Sequence, residues 1–188
     1  LELGAGSFRD AVQLGRWGWD VAASDFSEEA VLGARETFPE FADRFTVQDA
    51  TALTYDDDAF DVSFQNGLVV CFDDDETVSK CFAEQARVTR KRMVVSVHNK
   101  MNRAKVHQFA ELARTDRLYD IRFYDIGELV GLLEPHVRSV TVLPFGWRRY
   151  DKHIKRGRDR RLLRAAYNAT HRLWPWNEIE RLMAVCEL

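Results

Sequence analysis

A chain of 188 residues, 46% hydrophobic and 12% aromatic, can bury a sizeable core as one domain, which excludes wholesale disorder. Its 27 Lys and Arg nearly balance 30 Asp and Glu, for a formal net charge of -3. The longest stretch without a charged side chain, residues 62–72, includes Gln65 and Asn66 and falls well short of the roughly 18 apolar residues that a membrane span needs.

Apolar, β-branched runs at residues 1–3, 21–24, 44–47, 60–64, 93–97, 137–143 and 181–187 predict seven strands, alternating with helical periodicity. Helix starts are readable at Ser7 with Asp10, at Ser27 before Glu28 and Glu29, and at Asp125 with Glu128. A helix over 75–88 carries Val78, Phe82, Ala86 and Val88 on one broad face, as a helix crossing over a sheet should. The order is that of an α/β domain with a largely parallel sheet, and no repeat or linker divides the span 1–188. The opening LELGAGS lacks the organisation of a secretory signal. Cys71, Cys81 and Cys186 form no ligand or disulfide spacing, so buried free thiols in a cytoplasmic protein are expected and no metal site is predicted.

The first motif is Glu2-Leu3-Gly4-Ala5-Gly6-Ser7-Phe8, a glycine turn between a strand and a helix. Glycine removes the Cβ that would keep a ligand from the backbone, and the helix start behind it offers unpaired N–H groups. The second strand ends in Ser24-Asp25-Phe26, where a carboxylate can accept the hydroxyl hydrogens of a ribose, although an Asp there can also serve as a helix cap. Together these favour a nucleoside site over a purely structural turn. A dinucleotide fingerprint would place glycine where Arg9 stands, and the bulk of Arg9 argues against NAD or FAD.

From Leu1 to Val31 the chain resembles the first motif of the class I S-adenosylmethionine-dependent methyltransferases. Val47-Gln48-Asp49-Ala50 is similar to their segment after the third strand, and the run from Ala59 to Gly67 to their fourth strand and the turn beneath the cofactor. The resemblance continues through Phe72-Asp73-Asp74-Asp75-Glu76 and the fifth strand Arg92-Met93-Val94-Val95-Ser96-Val97 to a closing, hairpin-like strand pair. It implies a Rossmann-like α/β/α sandwich whose seven-stranded, mostly parallel sheet has its last strand antiparallel, with S-adenosylmethionine as cofactor. By the same resemblance Glu2, Gly4, Ala5 and Gly6 would face the methionine part of the cofactor, Asp25 its ribose, Phe26 one face of adenine, and Asp49 with Ala50 the adenine edge. Gln65 and Asn66 would contact cofactor or acceptor; Phe26 could alternatively be core. The family usually has Gly where Phe8 stands, so a tighter turn or a ring closing over the cofactor is expected. Family members carry helices before the first strand, and a chain starting within that strand would lack this cover. The rival readings are an NAD(P)-dependent oxidoreductase and a noncatalytic, methyltransferase-like nucleoside-binding protein.

Methyl transfer from a sulfonium is an in-line displacement in which holding the reactants in line matters most, so the sequence need not carry a catalytic side chain. A base helps where the acceptor arrives protonated; His98, just after the fifth strand, is the candidate, with a structural loop histidine as the alternative. His107, His136 and His171 have no partner pattern. Residues 148–164 hold Arg148, Arg149, Lys152, Lys155, Arg156, Arg158, Arg160, Arg161 and Arg164 against Asp151 and Asp159, a local +7 that leaves -10 elsewhere. This basic helical insertion, 148–176, ends at Trp174-Pro175-Trp176 and reads either as a solvated helix or as a surface for an anionic substrate, RNA or an acidic membrane. The acceptor is otherwise expected to be a small molecule.

Overall fold

In the computed structural model, which describes residues 1–147, 169–170 and 173–188, all seven expected strands form one sheet of order β3-β2-β1-β4-β5-β7-β6. In chain order they are β1 (Glu2–Leu3), β2 (Ala23–Asp25), β3 (Phe45–Val47), β4 (Phe60–Asn66), β5 (Thr89–His98), β6 (Ser139–Trp147) and β7 (Ile179–Glu187). Strands β1 to β5 pair in parallel, and β7 runs antiparallel between β5 and β6. Strand β5 starts earlier than its apolar run because Thr89 and Arg92 pair with Phe60 and Val62 of β4, and Arg92 with Glu187 of β7; surface ion pairs of Arg90 and Lys91 with Asp61 accompany this polar beginning. Residues 148–164 lie outside the described residues, on the connection between β6 and β7.

Helices α1 (Arg9–Arg16) and α2 (Glu28–Thr37) follow β1 and β2, α3 (Asp75–Arg87) precedes β5, and α4 (Arg103–Ala113) and α5 (Ile126–Leu133) follow it. The caps foreseen at Ser27 and Asp125 form, accepting from the N–H groups of Ala30 at 3.1 Å and Glu128 at 2.9 Å. Ser7 does not cap α1. The preceding residue is instead Phe8, in the left-handed region at φ 57 with no side-chain cap, and Glu2 of β1 accepts the Ala11 N–H at 2.8 Å in its place. Helix α4 carries no buried residue, which is why hydrophobic periodicity gave no sign of it.

Two apolar layers sandwich the sheet. Ala11 and Val12 of α1, Val31 and Ala34 of α2, Ala23 and Phe45 pack on one face. Val78 and Phe82 of α3, Leu129 and Leu133 of α5, and the β5 and β7 residues Met93, Val95, Leu182 and Ala184 pack on the other. Cross-strand register puts Glu2, Ala23, Phe64 and Val94 on the α1 side, so Asn66, Ser96 and His98 share that side, whereas Leu3, Gln65 and Val95 face α3. Cys81 and Cys186 are buried as expected, whereas Cys71 is exposed. Trp174 is buried with its indole N–H bonded to Thr170 at 3.2 Å, and Trp176 packs against the core, so neither ring is free to enter a membrane surface. Among the described residues no helix is long and apolar enough to cross a membrane.

Candidate active site

The carboxyl ends of β1, β2, β3 and β4 converge where the strand order reverses, the place at which open α/β sheets bind ligands. A cavity of about 320 Å³ opens there, lined by Gly4, Phe26, Asp49, Ala50, Leu68 and Phe72 among others. That volume lies at the lower end of the roughly 300 to 1,000 Å³ of small-molecule sites. Gly4 sits at φ +61, and a Cβ built on it would lie 2.7 Å from Leu68 Cδ1, so only glycine lets the turn approach this wall without displacing it. Gly6, at φ +51, turns its N–H to Asp25 Oδ2 at 2.8 Å, and space is open around the position of its missing Cβ.

Asp25 is gripped from both sides, with Oδ1 accepting the Ser27 N–H at 3.0 Å. The two N–H groups fix the carboxylate while each oxygen keeps a lone pair for an incoming hydroxyl. Ser27, not Asp25, caps α2. Asp49 repeats the arrangement: Oδ1 accepts both the Thr51 N–H at 2.8 Å and its hydroxyl at 2.7 Å, and Oδ2 has no hydrogen-bond partner among the described residues. The Thr51 bonds hold the Asp49 carboxyl below the usual carboxylate range, so it stays ionised and ready to accept from an amino group. Phe26 is 76% exposed at the cavity mouth, which sets aside its reading as core. Two oriented carboxylates with free lone pairs and an uncovered aromatic ring around a glycine turn fit an adenosine-bearing cofactor. Among the described residues no group of three His, Cys, Asp or Glu is placed to hold a metal.

Glu2 is 3% exposed and its Oε2 is committed to the helix start at Ala11. Burial pushes its carboxyl up to about 7, with the charges of Asp10 and Asp25 adding to the rise. Phe8 is fully buried, its ring 4.7 Å from that of Phe45, so it pins the turn to the α1–α2 layer and does not close over the cofactor. Gln65 points to the opposite face. Its amide donates to Gln85 of α3 at 2.9 Å, and its carbonyl oxygen accepts the Val69 N–H at 3.2 Å, so it braces the turn after β4 from behind, away from the cofactor cavity. Asn66 lies on the α1 side, donating to Asp10 at 3.2 Å and accepting from Arg181 at 2.5 Å.

His98 ends β5 at 8% exposure, against the rings of Phe109 and Phe123 at 5.1 and 5.4 Å. It is the last residue of a strand and not of a loop, and its Nδ1 is buried with no hydrogen-bond partner among the described residues. Burial, then the charges of Arg181 and Lys105, lower its pKa to about 4, so the imidazole is neutral near pH 7. Residues that the sequence did not single out also stand here. Thr51 orients Asp49, and Leu68 walls the cavity; the hydroxyl two residues after an Asp was the only local signal for the first. Arg181, from the far end of the chain, had none.

A family profile for a methyltransferase domain matches residues 1–96, just over half of the chain, and covers the glycine turn, Asp25, Phe26 and Asp49. No curated protein matches the sequence. Among solved structures the fold is similar to a possible histamine N-methyltransferase from Thermotoga maritima, at 14% identity over 99% of this chain and 79% of that one, with a TM-score of 0.68. It is also similar to magnesium protoporphyrin IX methyltransferase from Synechocystis PCC 6803, solved with bound S-adenosylhomocysteine, at 14% identity, 99% and 72% coverage and a TM-score of 0.66. Geranyl diphosphate C-methyltransferase from Streptomyces coelicolor A3(2) gives 12% identity, 99% and 72% coverage and a TM-score of 0.65. With the profile spanning the cavity that the strand ends build, the chain belongs to the methyltransferase-domain family, the class I S-adenosylmethionine-dependent methyltransferases.

Proposed function

We propose that the domain moves the methyl group of S-adenosylmethionine to a small-molecule acceptor arriving over Asn66 and His98. The observation that carries this reading is the pair of carboxylates, Asp25 and Asp49, each oriented by neighbouring N–H or hydroxyl donors, with Asp49 lining the cavity and Asp25 partly exposed between the lining residues Ser24 and Phe26. Asp25 takes the ribose diol, Asp49 with Ala50 the adenine edge, and Phe26 the adenine face. The turn from Gly4 through Ala5 to Gly6, with Glu2 behind it, takes the methionine part. When bound, the cofactor supplies an activated methyl whose bond to sulfur breaks with its electron pair going to sulfur, leaving S-adenosylhomocysteine.

The chain's part is to hold and to screen. Asn66, fixed by Asp10 and Arg181, bounds the space between cofactor and acceptor. His98 Nδ1 is buried, so it receives a hydrogen bond from the acceptor only as the acceptor displaces the side chains over it; a proton released by the acceptor leaves to His98 or to water. An imidazole held near 4 is a weak base, so the contribution of His98 is orientation first and proton removal second. A small acceptor is favoured because the fold relatives include enzymes of geranyl diphosphate and of a porphyrin.

Calorimetric titration with S-adenosylhomocysteine and with NADH tests the reading. Binding of the first and not of the second is expected; the reverse would return the oxidoreductase, and neither binding would return the noncatalytic protein. A screen of metabolite and RNA pools with radiolabelled cofactor then finds the acceptor, with label appearing in the small-molecule fraction.

A further inference from the structure

Three polar groups with unmet hydrogen-bonding capacity gather on the α1 side of the sheet, beside the turn that closes β4. Arg181 of β7 pairs in register with His98 of β5 and Phe145 of β6. Its guanidinium donates to Asn66 Oδ1 and comes within 3.6 Å of the position that a Gly67 Cβ would occupy, so it reaches across β5 to the loop whose next residue, Leu68, walls the cofactor cavity. A guanidinium has five N–H donors and suits two oxygens at once. Here its one hydrogen bond among the described residues goes to a neutral amide, and it makes no ion pair among them.

The two carboxylates that act on Arg181 have other partners. Asp10 receives Asn66 Nδ2 at 3.2 Å, and Glu180 pairs with Lys105 at 3.6 Å. Burial has already lowered the pKa of Arg181, and an unpaired, half-buried cation is costly unless a ligand neutralises it. On the same face, His98 Nδ1 and Ser96 Oγ are both buried without a hydrogen-bond partner among the described residues. Lys105 near His98 is offset by Glu180, which leaves Arg181 as the cation that an acceptor meets beside His98.

We infer that Arg181, with His98 and Ser96 beside it, forms the acceptor subsite and that it binds an oxyanion, the carboxylate or phosphate group of the acceptor. The inference rests on the methyltransferase reading and adds the substrate's charge to it. Arg181, the partly exposed member, holds the two oxygens, while the His98 nitrogen and the Ser96 hydroxyl, buried before the acceptor enters, take hydrogens from a hydroxyl or amine on the same molecule as it displaces the side chains over them.

The test uses the full chain saturated with S-adenosylhomocysteine, titrated with benzoate, phenyl phosphate, benzamide and benzylamine, four probes sharing one ring. At least one oxyanion is expected to bind about tenfold or more tighter than benzamide, to outbind benzylamine, and to move the His98 imidazole signals in the NMR spectrum. Benzoate against phenyl phosphate tells which oxyanion. Arg181→Gln should erase the preference while keeping affinity for S-adenosylhomocysteine within about threefold, and Arg181→Lys, a point charge without the planar fork, should keep part of it. Should the Gln variant misfold, the Lys variant decides, with an unweakened preference counting against the inference. Equal binding of benzamide or benzylamine, no oxyanion binding at millimolar concentration, or a preference unchanged in Arg181→Gln would overturn it. Failure of the wild-type chain to bind S-adenosylhomocysteine would instead overturn the methyltransferase reading, and that titration is run first.

Discussion

On the β2–β1 half of the sheet, the strand-end carboxylate Asp25 is held by two backbone N–H groups and lies partly open to solvent. On the β5–β7 half, by contrast, His98 Nδ1 and Ser96 Oγ are buried without a hydrogen-bond partner among the described residues, and the guanidinium of Arg181 has there one hydrogen bond, to an amide. The first half is built before any ligand arrives, since its donors come from the backbone of adjoining turns. The second half leaves buried capacity for something else to fill, at a cost of roughly 1 to 3 kcal/mol for each unsatisfied group. Backbone-anchored carboxylates suit a partner that never changes, such as a cofactor; side chains that wait for theirs suit a variable substrate.

Substitutions can break this contrast, and the largest effect is expected at Gly4. In Gly4→Val the left-handed backbone and a Cβ 2.7 Å from Leu68 act together, and S-adenosylhomocysteine affinity should fall by about 100-fold or more, read by calorimetry. Retained affinity would mean that the turn does not define the cofactor site. Next comes the pair Asp25→Ala and Phe26→Ala. Loss of the carboxylate should weaken binding about 10- to 100-fold and, because Gly6 and Ser27 lose their acceptor, lower stability by about 1 to 2 kcal/mol in urea unfolding. Removing the exposed Phe26 ring should weaken binding about tenfold and leave stability nearly unchanged. An Asp25→Ala protein with normal affinity would separate the turn from the ribose.

The two halves also pull in opposite directions in their pH dependence. The folded Glu2 carboxyl is raised from 4.5 to about 7, so its stabilising contribution is full below pH 4.5 and is lost as pH rises through 7. His98 is lowered from 6.5 to about 4, so its contribution is present above pH 6.5 and is lost as pH falls through 4. Between those limits Glu2→Gln should make stability rise more steeply with pH and His98→Leu should make it rise less, both read by urea unfolding. Shifts of the same sign in the two variants would show that at least one of these environments is misjudged.

Local patterns carried much of this into the sequence. The strands announce themselves as short apolar runs between helical stretches, and Ser27 and Asp125 are caps because capping needs only the next three residues. Phe8 and Glu2 resist such reading. A left-handed phenylalanine is tolerated only because its ring finds Phe45, thirty-seven residues on, and a strand carboxylate capping a helix is no local motif. Gln65 and Asn66, being neighbours on a strand, must face opposite sides, so both could never have served one site. Arg181 meets Asn66 across 115 positions, and only the antiparallel register of β7 brings them together.

The turn after β4 is fastened from a distance as well. Tyr124 donates its hydroxyl to the Val69 carbonyl at 2.9 Å, and the Arg122 N–H bonds the Val70 carbonyl at 2.8 Å. The Arg122 guanidinium spans Asp75 and Glu128 and lies 4.7 Å from the Tyr124 ring centroid. The cavity wall at Leu68 and Phe72 is thus riveted by chain beyond residue 96, where the family profile stops. The first half that the family profile matches is therefore not a transplantable module. Grafted alone onto another scaffold it would bring the glycine turn and the carboxylates but lose the rivets that keep their opposite wall in place.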